Sequence, residues 1–202
     1  MLIKIYPQNP NAQQVAKVVE TLKSGGIVIL PTDSVYAFAC DIFNASAVES
    51  ILLMKEKNLR KAELSMICDS LRQISEYARM DDDSFRLIKK NLPGPFTFIL
   101  NGSNRLPRIF KNKKVVGIRM PENNIPLEIV RELGNPLMVS SIFVDDDSHE
   151  YITDPELIHE KFGYQVDMVI DGGMGGLEPS TIVDCTGDEF EIVREGAGLL
   201  NE

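Results

Sequence analysis

The sequence predicts an α/β fold, a mixed sheet with helices packed against it, and three observations lead there. In the earlier part of the chain, apolar residues at helical spacing alternate with short runs of branched and aromatic residues. Late in the chain the short runs cluster, which mixes antiparallel with parallel neighbours. Several runs also stop at proline or at hydroxyl residues, and in open α/β sheets such strand ends share one rim.

Each element has its own warrant. Residues 1–6 alternate apolar with polar, which describes a strand and lacks the regions of a signal peptide. Asn11 can cap a helix whose Val15, Val18, Val19 and Leu22 recur at helical spacing, and Gly25-Gly26 ends it. Residues 27–30 make a buried strand that Pro31 stops, leaving Thr32, Asp33 and Ser34 on the loop beyond. A helix over about 45–57 turns Val48, Ile51 and Leu52 to one face and sends Lys55 and Lys57 elsewhere. The next strand covers 64–68. Asp81-Asp82-Asp83-Ser84 reads as a helix N-terminus in preference to a metal cluster, because Phe85, Leu87 and Ile88 follow at once.

Leu92-Pro93-Gly94-Pro95 is a turn feeding a strand over 96–100, and 115–118 is another that ends in Arg119. Pro126 suits the first position of a helix through Leu133 that Gly134 closes. A strand over 137–141 ends in Ser140 and Ser141. Thr153-Asp154-Pro155-Glu156 opens a helix ending near Gly163. Strands over 168–171, 181–185 and 190–194 complete the set.

With 202 residues, 44% apolar and 25% charged, the chain suits one core, hence a single domain over 1–202. Cys40, Cys68 and Cys185 show no paired spacing, so neither a disulfide framework nor a zinc knuckle is expected, and a reducing, cytoplasmic setting fits. No apolar run reaches bilayer-spanning length, so no membrane partner is expected. A net charge of -9 repels a phosphate backbone overall, leaving only a local basic groove to attract nucleotide or RNA.

Familiar nucleotide signatures are absent. There is no GxxxxGK[ST] loop, and Gly172-Gly173-Met174-Gly175-Gly176 lacks both GxGxxG spacing and a following helix, so it reads first as a turn between strands. His149 and His159 have no nucleophile or metal partner at telling spacing and read as surface residues. What remains is a set of polar residues at strand ends: Thr32 and Ser34, Thr97, Arg119, Ser140 and Ser141, Ser180 and Thr181, and Arg194. Hydroxyls there can bind carboxylate or phosphate oxygens, and arginine supplies a matching planar fork.

Those residues sit within motifs. PTDSVYAFACD after GGIVIL, the lysines at 55 and 57, LPGPFTFIL, VVGIRMP, GNPLMVSS and GGMGGLEPSTIVDCTGDEFEIVREGAG resemble, in order and spacing, the motifs of the YrdC/YciO family, the threonylcarbamoyl-AMP synthase superfamily. LSMICDSLRQISEYA and GPFTFILNGSNRLP are more similar to its YciO branch. The resemblance implies a YrdC/RibB-like twisted open mixed sheet with a concave cleft. It also implies ATP as substrate with Mg2+, L-threonine or a similar small amino acid, bicarbonate, and a product used in tRNA modification. Double-stranded RNA binding is a further implied property. By resemblance Thr32 contacts threonine, Lys55 and Lys57 the phosphates, Arg119 the amino acid or phosphate, Ser141 and Ser180 the substrates, and Arg194 the nucleotide.

Three departures stand out. The family's K-x-R pair is Lys55-Glu56-Lys57, its Ser-Ala-Asn is Ser141-Ile142-Phe143, and its Tyr-Gly-Leu is Tyr36-Ala37-Phe38, whose larger side chains are expected at the cleft floor. They keep open an alternative: a non-catalytic or altered-substrate paralogue that binds nucleotide or double-stranded RNA.

Overall fold

The computed structural model describes residues 1–55, 65–111, 114–142 and 149–201. The apolar runs become strands, and among the described residues they join one sheet. In chain order these are β1 (Leu2–Lys4), β2 (Val28–Leu30), β3 (Ala37–Asp41), β4 (Ser65–Ile67), β5 (Ala78–Arg79), β6 (Phe96–Gly102), β7 (Val115–Arg119), β8 (Leu137–Ser141), β9 (Met168–Asp171), β10 (Thr181–Asp184) and β11 (Glu191–Arg194). Across the sheet the order is β1-β9-β2-β3-β8-β4-β7-β6-β10-β11, with β5 paired to β6. The sheet is mixed. β9 runs parallel to β1 and β2, β4 parallel to β7, and β10 parallel to β6, while the remaining pairs are antiparallel.

Helix α1 (Ala12–Lys23) starts where expected, Asn11 accepting from the Gln13 and Gln14 N–H groups, a cap worth about 1 kcal/mol. Then come α2 (Ala45–Lys55), α3 (Leu71–Tyr77), α4 (Asp82–Asn91), α5 (Arg108–Lys111), α6 (Asn124–Leu133), α7 (Glu150–Thr153) and α8 (Pro155–Phe162). Asp81 caps α4 by accepting from Ser84 N, as its acidic run suggests, and Asp154 caps α8 ahead of Pro155. Helix α6 begins two residues before Pro126, because the Asn123 side chain accepts from Ile125 N and completes the cap earlier. Gly134 closes it at φ 85°.

Strand β3 had no warrant in the sequence reading. Its residues 37–40 are buried on both faces, so they do not alternate, and Ala37, Ala39 and Cys40 lack the branched side chains that mark 27–30 as a strand. Alternation along the strands makes two cores. Ile29, Phe38, Met66, Phe98, Ile118 and Met138 belong to one face. Val28, Leu30, Ala37, Ala39, Ile67, Leu137 and Val139 belong to the other, packed with α1 and α6 residues such as Val18, Leu22, Ile129 and Leu133. On that second face the row turns polar toward β7 and β6. Ser65 pairs Gly117 and Ile67 pairs Arg119, while a Cβ on Gly117 would lie 3.0 Å from Thr97 Cγ2. This polar row, at the end of β7 facing the 31–36 loop, is where the candidate site lies.

Candidate functional site

Pro31 ends β2, and the loop to β3 folds back on its own hydroxyls. Thr32 Oγ1 donates to the Val35 carbonyl at 2.7 Å, accepts from Ser34 N at 3.1 Å, and lies 3.1 Å from Ser34 Oγ. Thr32 and Ser34 are both buried. Arg119, at the carboxyl end of β7, reaches this loop from 85 residues away: its Nη2 donates to Asp33 Oδ1 and to Ser34 Oγ, both at 2.9 Å. The two charged side chains are 4% and 8% exposed, so the pair is held out of water. Asp33 Oδ2 also accepts from Glu122 N at 2.8 Å, which fixes the carboxylate from both oxygens. Burial raises the Asp33 carboxyl above its ordinary value, with Arg119 and the Glu122 N–H pulling it part of the way back.

Burial likewise lowers Arg119. Asp33 opposes that shift, and the nearby positive charge of Arg194 adds to it. Arg119 Nε is buried and finds no hydrogen-bond partner among the described residues. Arg194 comes from β11, the last strand in the sheet order, and donates through Nη2 and Nε to the Ser180 carbonyl at 2.7 and 3.2 Å. Ser180 Oγ in turn meets Thr97 Oγ1 at 2.8 Å, both groups being buried. The sheet thus gathers Thr32, Ser34, Thr97, Arg119, Ser180 and Arg194 from five separate segments. Arg119 closes on the buried Asp33 carboxylate, which also feels the charge of Glu122, while Arg194 lies near enough to act on Arg119. Guanidinium and hydroxyl groups gathered in this way can pair with the oxygens of an anion.

The glycine-rich turn completes the wall. Tyr36, fully buried, donates its hydroxyl to the Gly173 carbonyl at 2.7 Å and accepts from Gly172 N at 3.1 Å. Burial raises the pKa of that phenol, so it stays a donor at neutral pH. Gly176 N donates to Ser34 O at 2.8 Å, and a Cβ on Gly176 would lie 2.5 Å from that oxygen, so only glycine allows the approach. The turn is therefore pinned to the 34–36 segment by specific bonds.

Several expected positions resolve differently. Ser141 pairs Ala37 on the polar face, but Ser140 pairs Phe38 and is turned to the opposite face by strand alternation, away from the cluster. Phe38 does not crowd the cleft floor, because it packs edge-on against Phe162 at 5.6 Å within the other core. Thr181 also faces away, its hydroxyl donating to Gly198 O and accepting from Gly196 N and Gly198 N. Lys55 is the last residue of α2, while Lys57 and Phe143 lie outside the described residues. Asp33 and Tyr36 carry more of the site than their sequence context signalled. Asp33 lay inside the motif, yet the counter-ion that gives it a role is remote in sequence. Among the described residues no group of His, Cys, Asp or Glu is arranged to hold a metal ion. No helix among them is long and apolar enough to cross a membrane.

Comparison with known proteins agrees with this fold. The Sua5/YciO/YrdC family model, described as telomere recombination, matches residues 20–196. The crystal structure of Escherichia coli YciO is 35% identical, with a TM-score of 0.91 over 98% of this chain and 96% of that one. A putative threonylcarbamoyl-AMP synthase of Methanocaldococcus jannaschii is 34% identical over 96% of this chain and 92% of its own. Pyrococcus abyssi Sua5 complexed with L-threonine shares the fold at a TM-score of 0.84, with 22% identity over 97% of this chain and 57% of that one.

Proposed function

The chain belongs to the Sua5/YciO/YrdC family, and from that premise we propose that its cleft binds ATP and L-threonine, or a similar small amino acid, and forms an acyl adenylate from them with bicarbonate. In this reaction the amine takes up the carbon of bicarbonate with loss of water. An oxygen of the resulting carbamate then attacks the α-phosphorus, and the bond to pyrophosphate breaks. Threonylcarbamoyl-AMP is the product, and modification of tRNA its use. The observation that carries the reading is the buried Arg119, held by Asp33 and Ser34 beside Arg194.

A carbamate is a weak and short-lived nucleophile, so the protein's work is to align it, exclude water and neutralise developing phosphate charge. Arg119 and Arg194 supply fixed positive charge toward carboxylate or phosphate oxygens. Thr32, Ser34, Thr97 and Ser180 supply hydroxyls that orient them, Ser141 lies on the same face, and Lys55 and Lys57 are assigned to the phosphates. Mg2+ fits this donor set when carried on the triphosphate oxygens, where it would offset their charge.

Incubation with ATP, bicarbonate and threonine should release pyrophosphate in proportion to threonine. The replacement of the family's asparagine by Phe143 favours a second reading, in which the cleft holds nucleotide or the end of an RNA duplex without turnover. ATP binding without pyrophosphate release, across a panel of small amino acids, would decide for that one.

A further inference from the structure

Charge is unevenly spread along this acidic chain. Residues 84–121 contain no Asp or Glu, and Arg105, Arg108, Lys111, Lys113 and Lys114 fall within a span of ten residues. The fold brings part of that stretch to the end of β6 and β7 opposite the candidate site. There a hollow of about 570 Å³ is lined by Arg79, Asn101, Ser103, Asn104 and Lys114, its floor closed by the buried Leu106 and Phe110. Thr97 and Asn101 are four residues apart on β6, so the hollow lies on the order of 13 Å from the cleft.

The local charge balance is one-sided. The nearby Glu76 carboxylate is shared by Arg105 at 2.9 Å and Arg72 at 3.8 Å. Arg79, Arg108 and Lys114 therefore have no acidic partner among the described residues. Strand pairing sets Arg79 opposite Asn101, which places a cation beside amide donors on the sheet edge. Lys114 stands at φ 58°, a left-handed conformation that costs a lysine, and Gly102 N holds its carbonyl at 2.8 Å. Glycine or asparagine would relieve that strain, yet the position carries a charge.

We infer that this hollow is a second anion site, taking the phosphate group of a small phosphorylated ligand through Arg79 and Lys114, with the side-chain amides of Asn101 and Asn104 as hydrogen-bonding neighbours. Its volume is that of a small-ligand site, and its two cations share one concavity where a nucleic-acid backbone would call for a stripe. It is separate from the proposed ATP and amino-acid cleft and does not depend on that reading.

Residue-resolved NMR titration of the full chain with inorganic pyrophosphate tests the inference. Saturable shifts are expected at the Gly102, Ser103, Asn104 and Lys114 amides, distinct from any at Ser34 or Gly196. Arg79→Ala should weaken this binding about tenfold, the loss of one charge-assisted contact. Lys114→Gly should do the same while relaxing the backbone, so a folding defect cannot account for the result. Absence of saturation at these amides, wild-type affinity in both variants, or shifts produced only by a short RNA duplex would each overturn the assignment.

Discussion

Replacing Tyr36 by Phe removes a single oxygen and leaves the fully buried ring in place. That oxygen donates to Gly173 O and accepts from Gly172 N. Each net bond is worth about 1 kcal/mol, and the half-buried Gly172 N–H loses its partner outright, so the loss should total about 2 kcal/mol. For a chain of this size in urea, with a slope of about 2 kcal/mol per molar, the unfolding midpoint should fall by about 1 M. The slope itself should not change, because the surface exposed on unfolding is the same. Hydrogen exchange sharpens the test. Amides of Gly172, Gly175 and Gly176 should exchange faster, since the turn depends on Tyr36 at one end and on Ser34 at the other. A midpoint that does not move, with native protection retained at Gly172, would show that the phenol does not hold the turn.

Arg119→Met should destabilise the chain by about 3 kcal/mol, since it strands a buried carboxylate, and the loss should shrink when combined with Asp33→Asn; strictly additive urea midpoints would contradict the pairing. Gly117→Ala places a methyl 2.6 Å from Ser65 Oγ and 3.0 Å from Thr97 Cγ2. It should cost about 1–3 kcal/mol and loosen the Thr97–Ser180 contact, an idea that wild-type stability would end. The cysteine thiols are buried, with that of Cys185 pushed up to about 12. All three should therefore resist Ellman's reagent in native protein and react in urea, and rapid native labelling would argue otherwise. On the proposed function, Lys55→Ala should weaken ATP binding about tenfold, and calorimetry returning equal affinities would remove Lys55 from the phosphate site.

Local signals carried much of the architecture. The caps at Asn11, Asp81 and Asp154, the closure at Gly134 and the strands from 96 and 115 depend on interactions within a few residues, which side-chain type can announce. Strand β3 escaped because its Ala37, Ala39 and Cys40 carry little of the branched-residue signal that marked 27–30. Helix α6 started early because Asn123 capped it before Pro126 could. Within the site, hydroxyl and arginine positions were legible as strand ends, and the motif resemblance ranked them. Which face each occupied was not legible, because Ser140 and Ser141 differ only in the register that β8 makes with β3.

By itself the sequence determined the types and approximate bounds of most elements, the family and the stock of cations and hydroxyls available for an anion. Only the tertiary structure decided that Arg119 closes on Asp33 and Ser34, that Arg194 comes up beside it, that Tyr36 ties down the glycine turn, and that Ser140 and Phe38 face the other way. The physical reason is range. Caps and turns are settled by bonds between near neighbours, whereas a buried ion pair spanning 86 residues exists only after the sheet order has brought β7 against the loop that follows β2.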